Sequence, residues 1–231
     1  MFIDLGGNLL PGFAGGMKSV RVCAERLGGA YGGAVAASVL TPRYNPAKMS
    51  VGDFVELREK VLRDLSLNMP QTCPVLYLGC EVFIDERLKY ISEIGELTVL
   101  GTRTMIAYMP EGFWDGALLD TLEAIRATGI DVLIAHIDRY PERYAEDLFK
   151  FGYKATLDVS AFFGMSNLRR RKKLFSWIDE GYVAGISGNL DDDGKRVGEI
   201  ARFEDVIGEE RAARLAESSA RVLAGAVNIT K

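Results

Sequence analysis

The chain contains a single histidine among its 231 residues. That histidine ends an apolar run, Val132-Leu133-Ile134-Ala135-His136, and Asp138 and Arg139 follow it closely. An imidazole in such a position can ligate a metal, move a proton as general acid or base, or lie buried and hydrogen-bonded to its neighbours. A catalytic transition-metal cluster gathers several imidazole or carboxylate ligands at about 2.0–2.2 Å. One histidine cannot supply such a set, so the structural role is favoured for His136. Arg139 beside Asp138 suits either an ion pair or an anion contact, because the guanidinium fork matches carboxylate and phosphate alike.

Other conspicuous groups read more plainly. Asp191-Asp192-Asp193-Gly194 lacks the alternating ligands and the twelfth-position acid of a calcium loop and reads as a solvated turn. The glycine-rich segment 28–33 precedes a strand instead of joining a strand to a helix, so a helix end and turn is preferred to a phosphate cradle. Arg169-Arg170-Arg171-Lys172-Lys173 opens a helix whose apolar face carries Leu168, Leu174, Phe175 and Ile178. A solvated face is the simpler reading of that run, and contact with an acidic partner or phosphorylated tail is the alternative. Cys23, Cys73 and Cys80 are odd in number and lack C-x-x-C spacing, as expected of buried thiols.

The elements that must position these groups alternate along the chain. Apolar runs of strand length occur at Phe2–Leu5, Ala34–Leu40, Val75–Leu78, Thr98–Leu100, Thr104–Tyr108, Val132–Ala135, Thr156–Val159 and Val183–Ile186. Helical periodicity predicts helices at Val51–Ser66, Gly116–Thr128, Pro141–Lys150, Leu168–Glu180, Arg196–Ile200 and Glu209–Leu223. Asp53 and Asp115 are placed to cap two of them, and Gly129 and Gly181 to close two. About seven strand–helix units in one domain, residues 1–231, predict a closed or nearly closed α/β barrel, with an open doubly wound sheet as second choice.

Composition bounds the function. Hydrophobic residues make up 48% and charged residues 26%, the usage of an ordinary globular protein. Lys and Arg number 28 against 32 Asp and Glu, so no basic field draws nucleic acid. Without an apolar stretch of membrane-spanning length or a leader segment, a cytoplasmic location is expected.

Taken in order, the strand ends carry Asp4-Leu5-Gly6-Gly7-Asn8-Leu9-Leu10-Pro11-Gly12, Thr41-Pro42-Arg43, Gly79-Cys80-Glu81, Ala135-His136-Ile137-Asp138-Arg139-Tyr140 and Ser187-Gly188-Asn189. This series resembles the PHP superfamily, and within it the CpsB/CapC-type tyrosine phosphatases of bacterial polysaccharide synthesis. Those carry D-x-H-x-H-x-L-P-G, T-P-H, G-x-E, A-H-P-E-R-Y and S-D-A-H at successive strand ends. The tail from Ile207 to Gly225 is similar to that family's closing helix. The resemblance implies a distorted (β/α)₇ barrel that binds two or three divalent metals and hydrolyses phosphotyrosine on a partner kinase.

The departures fall on the ligands. Gly6 and Asn8 stand where the family has histidines, Ala14 and Gly15 where it has acids, Arg43 where it has the histidine of T-P-H, and Ala107 where it has a further carboxylate. Gly188 and Leu190 replace the Asp and His of S-D-A-H. Asp4, Glu81 and His136 remain as a remnant metal set. Arg43 adds a permanent positive charge that opposes a cation by several kcal/mol at an effective dielectric near 20, and pairing with Glu81 or Asp4 would let it take the metal's place.

The expectation is therefore a catalytically degenerate relative that acts by binding, with no cofactor. Arg43 and Arg139, on neighbouring strand ends, would clamp a phosphorylated or acidic protein segment such as a tyrosine-kinase tail, and a homo-oligomer is compatible with the sequence. The alternative is a metal-dependent tyrosine phosphatase, with one Mn, Fe or Zn ion on Asp4, Glu81 and His136 and with His136, Asp138 and Arg139 as catalytic candidates.

Overall fold

Apolar segments too short for a helix become parallel strands, and the amphipathic stretches between them return the chain across the outside of the sheet. The structure, a computed structural model, describes residues 1–163, 168–190 and 196–230. Its strands are β1 (Phe2–Gly7), β2 (Val35–Leu40), β3 (Arg43–Tyr44), β4 (Val75–Leu78), β5 (Glu81–Phe83), β6 (Thr104–Tyr108), β7 (Asp131–Ile134), β8 (Lys154–Asp158) and β9 (Val183–Ser187). They form one sheet in the order β3-β5-β6-β7-β8-β9-β1-β2-β4, with parallel pairing throughout.

The two ends of that order are joined by the chain. β2 runs into β3 through Thr41-Pro42, and β4 runs into β5 through Gly79-Cys80. Bonds from Gly79 N–H to Leu40 O (3.0 Å) and from Glu81 N–H to Pro42 O (3.2 Å) carry the pairing across both breaks. Seven extended stretches thus follow one another around a ring, the expected distorted (β/α)₇ barrel.

Strand alternation divides the core in two. Leu5, Val39, Ile106, Leu133 and Ala184 touch one another although their strands are far apart in the ring, so they fill its interior. The opposite faces, with Leu40, Val82, Ala107, Ile134 and Leu157, pack beneath the helices. These are α1 (Val20–Leu27), α2 (Gly29–Ala34), α3 (Val51–Ser66), α4 (Gly116–Ala127), α5 (Glu142–Lys150), α6 (Leu168–Asp179), α7 (Val197–Ala201), α8 (Phe203–Ile207) and α9 (Glu209–Val222). Among the described residues no helix is long and apolar enough to cross a membrane.

Several local expectations need correction. Thr98–Leu100 is a turn, not a strand, because the Thr98 and Thr102 hydroxyls donate to the carbonyls of Gly95 (2.9 Å) and Val99 (2.8 Å) and draw the backbone away from a ladder. Ser50, not Asp53, caps α3: its Oγ accepts from Asp53 N–H (3.1 Å) and donates to the Asp53 carboxylate (2.7 Å). Gly28 ends α1 as a turn would, but Gly29–Ala34 then winds a further short helix. Asp115 does cap α4, accepting from Leu118 N–H at 3.0 Å, and Gly129 and Gly181 adopt positive φ at their helix ends. Cys23 and Cys80 are buried, Cys73 is half-buried, and all three are free thiols. The Asp191–Gly194 segment lies outside the described residues.

Candidate functional site

Strand register brings the charged groups together at the carboxyl ends of the strands. β3 pairs with β5 so that Arg43 lies opposite Glu81. His136 follows β7, and Asp158 ends the neighbouring β8. His136 adopts a left-handed conformation, φ 54° and ψ 44°, and its N–H donates to Thr156 Oγ1 at 3.1 Å. For a residue with a Cβ this backbone costs about 1–3 kcal/mol. The only other positive-φ residue of that kind among those described is Asn189, also at a strand end. The strain turns the imidazole between the two carboxylates.

The result is a chain of five alternating charges. Arg43 Nε donates to Glu81 Oε2 (2.9 Å), and Glu81 Oε1 lies 3.0 Å from His136 Nε2. His136 Nδ1 lies 2.6 Å from Asp158 Oδ1, and Asp158 Oδ2 accepts from Arg139 Nε (2.7 Å) and Nη2 (2.6 Å). Both ring nitrogens face carboxylate oxygens, which only an imidazolium can satisfy with two N–H donors. Burial alone would push the His136 pKa down, but Glu81 and Asp158 override it and raise it to about 9. Burial would likewise push both carboxylates up. His136 with Arg43 holds Glu81 below its usual value, and His136 with Arg139 does the same for Asp158.

Asp4 is held differently. Its Oδ1 accepts from the backbone N–H groups of Gly6 and Gly188, both at 2.9 Å, and its Oδ2 accepts from the Tyr31 hydroxyl at 2.7 Å. Burial raises its pKa, and these neutral donors offset that only in part. Arg43 therefore pairs with Glu81 and not with Asp4. A Cβ at Gly188 would stand 2.5 Å from Asp4 Oδ2, and one at Gly6 would overlap the Ser187 hydroxyl. The short backbone approach that satisfies Asp4 leaves no room for side chains at these two positions.

Three further expectations change. Asp138 does not bond Arg139: it accepts from Asp158 N–H (2.9 Å) and lies 3.7 Å from Arg170 Nη2, while Arg139 turns to Asp158 and to the Asn189 side-chain oxygen. Burial and the nearby Asp158 charge raise the Asp138 pKa to about 6. Arg43 and Arg139 do not sit on adjacent strands, since β5 and β6 separate β3 from β7. They are joined by the charge chain and border one cavity of about 620 Å³, together with Arg170 and Arg196. Ala107 faces the helices, and the next residue, Tyr108, reaches the mouth, with the Arg43 guanidinium 4.8 Å from its ring centroid.

Asp158 was missed from sequence. The available signal was a lone carboxylate inside the strand-like run Thr156–Val159.

A metal ion needs lone pairs aimed at one point. Among the described residues, the His136 nitrogens and all four oxygens of Glu81 and Asp158 are already engaged, and no group of three or more His, Cys, Asp or Glu is placed to hold a metal. At Gly15 a Cβ would lie 2.9 Å from Asn8 Nδ2 and 3.2 Å from Arg43 Nη1, so those two side chains fill the space beside it. As arranged, these residues do not fit a metal ion.

A family model for capsular polysaccharide synthesis, CpsB/CapC, matches residues 2–222. The chain belongs to the CpsB/CapC family. Among solved structures it is similar to one from a study of YwqE from Bacillus subtilis and CpsB from Streptococcus pneumoniae, described as unique metal-dependent tyrosine phosphatases. Identity there is 14%, coverage 99% of this chain and 96% of that one, and the TM-score 0.75. A TatD-like protein from Archaeoglobus fulgidus is similar at 11% identity and TM-score 0.53, over 96% of this chain and all of that one. At such identities the likeness speaks for the fold. Among curated proteins none matches. Membership in CpsB/CapC accounts for the barrel and the order of strand-end motifs; the imidazolium-centred charge chain is a feature of this chain's own residues.

Proposed function

We propose that this CpsB/CapC member is a metal-free binder of anionic groups, such as phosphotyrosine, within a polysaccharide-synthesis system, and that it does not hydrolyse them. The observation that carries this reading is the engagement of both His136 nitrogens by Glu81 and Asp158. An imidazolium has no lone pair for a metal, and without a metal-activated water the site has no nucleophile for phosphate. The cationic charge a metal would bring is supplied by His136, Arg43 and Arg139.

Donors remain for a ligand. Arg43 spends only Nε on Glu81, and its terminal amino groups have no hydrogen-bond partner among the described residues. A phosphate or carboxylate in the cavity of about 620 Å³ would meet the two terminal amino groups of Arg43 in fork geometry, with the Arg139 guanidinium charge on the same cavity wall.

Protein purified in manganese should carry less than stoichiometric metal and should not turn over p-nitrophenyl phosphate. It should bind a phosphotyrosyl peptide with an affinity that falls at least tenfold in Arg139→Ala, with folding checked by circular dichroism. Stoichiometric metal, together with turnover abolished by His136→Ala, would replace this reading with that of an active metal-dependent phosphatase.

A further inference from the structure

The basic run at the start of α6 has no part in the charge chain. Arg169, Lys172 and Lys173 border a second cavity of about 960 Å³ whose floor includes Pro141, Leu174 and Trp177. This cavity shares Asp138, Arg139 and Arg170 with the mouth, so the two adjoin. Its lining carries five cations and two carboxylates, Asp138 and Glu142, in a chain whose formal charge is −4. Lys173 is matched by Glu142 (2.9 Å) and Glu146 (2.7 Å), and Arg170 by Asp138. Arg169 and Lys172 are exposed and have no carboxylate within 4 Å among the described residues; Arg169 adds only a weaker electrostatic pull on Glu142 behind that of Lys173.

These cations occupy the first turns of a helix that has no acidic residue there. Cations at a helix N-terminus oppose the macrodipole, so the run is held at a cost that a negatively charged partner would relieve. Each cavity is large enough for a small ligand, and the continuous trough exceeds what one phosphate fills.

We infer that an extended acidic segment of a partner protein docks along α6, its carboxylates against Arg169 and Lys172, with its leading anion delivered to Arg43 and Arg139. This rests on the anion-binding reading of the mouth and adds the surface that selects the partner. Electrostatic contacts of this kind act mainly on encounter and selectivity and weaken with salt.

Two fluorescent phosphotyrosyl peptides of equal length, one with a tail of four glutamates and one with a Gly-Ser tail, test it by anisotropy at 50 and 500 mM salt. The acidic tail should strengthen binding at least tenfold at low salt and less than threefold at high salt. The double variant Arg169→Glu/Lys172→Glu should erase the difference between the peptides, whereas a control reversal at distant Lys89 should keep it. Equal affinity of both peptides for the unaltered protein, or a tail effect that survives the double reversal, overturns the trough and leaves the mouth reading standing. Binding of neither peptide removes both. Competition by phosphatidylglycerol vesicles as strong as by the acidic peptide would overturn the partner in favour of a lipid surface.

Discussion

Two sets of carboxylates meet at the barrel mouth and are kept by opposite means. Glu81 and Asp158 are matched by cations, and their pKa values fall below normal despite burial. Asp4, equally buried, is matched by two peptide N–H groups and a phenol, and its pKa rises. Burial costs an ion several kcal/mol in either case. A guanidinium or imidazolium repays that cost as charge, whereas neutral donors repay only part of it. The half of the mouth that carries Arg43, His136 and Arg139 is thus electrostatically complete as it stands, and the half around Asp4 is not.

The sharpest way to break this contrast is to remove the cation at its centre. His136→Ala leaves Glu81 and Asp158 without the charge between them and should cost about 3–5 kcal/mol in guanidinium denaturation; a loss below about 1 kcal/mol would sink the charge-chain account. Alkaline pH should do nearly the same reversibly. The folded pKa of His136, about 9, lies above its unfolded value of 6.5. Its contribution is therefore complete below pH ~6.5 and lost as pH rises through 9, on the order of 3 kcal/mol. Glu81 and Asp158, with lowered pKa values, give stability that is present above their unfolded values and lost on acidification. Asp138, raised to about 6, works against stability as pH climbs past 4. Denaturation midpoints should thus drop on both sides of a near-neutral region, and His136→Gln should flatten the alkaline side.

The architecture was legible because the alternation of strands and helices is a local pattern. The count of strand–helix units, the helices α3 to α6 and the left-handed glycines at helix ends all follow from spacing. The site was legible only at the level of which residues gather. Arg43, Glu81, His136 and Arg139 were read from strand-end motifs, but Asp158 belongs to no motif, and its importance comes from β8 lying beside β7. Ala107 was set at a ligand position, whereas Tyr108 is the residue that reaches the mouth; on a strand one residue reverses the face. Helix α2 was missed because Gly29, Gly32 and Gly33 make up half of its six residues, and α1 because it spans only eight residues. Gly32 is small for a tertiary reason: a Cβ there would lie 2.7 Å from Thr72 O.

At the outer end of the charge chain the effects shrink. Arg43 is 25% exposed, and Glu81 keeps His136 when the guanidinium is removed. Arg43→Ala should then cost about 1–3 kcal/mol, less than loss of the histidine, by urea denaturation at pH 7; unchanged melting would show that Arg43 does not compensate Glu81.

The smallest effect is expected at Asp4 and tests the other side of the comparison. An asparagine keeps one oxygen to accept from Gly6 and Gly188, and its amide can donate to the Tyr31 hydroxyl, which lies 2.8 Å from Ser38 Oγ and can turn its own proton there. The substitution removes a buried negative charge that has no cation beside it, and with it the repulsion from Asp158. Because the folded pKa of Asp4 is raised, its ionised form works against stability above that pKa. Asp4→Asn should accordingly change stability by no more than about 1 kcal/mol at pH 7, towards greater stability, and the difference should shrink on acidification and vanish below the unfolded value of 3.8, where Asp4 is protonated in both states. Asp158→Asn, by contrast, strips charge from the matched half and should cost about 2–4 kcal/mol at pH 7. Equal losses in the two variants would mean that Asp4 also faces a cation, and the two halves of the mouth would then be governed by the same rule.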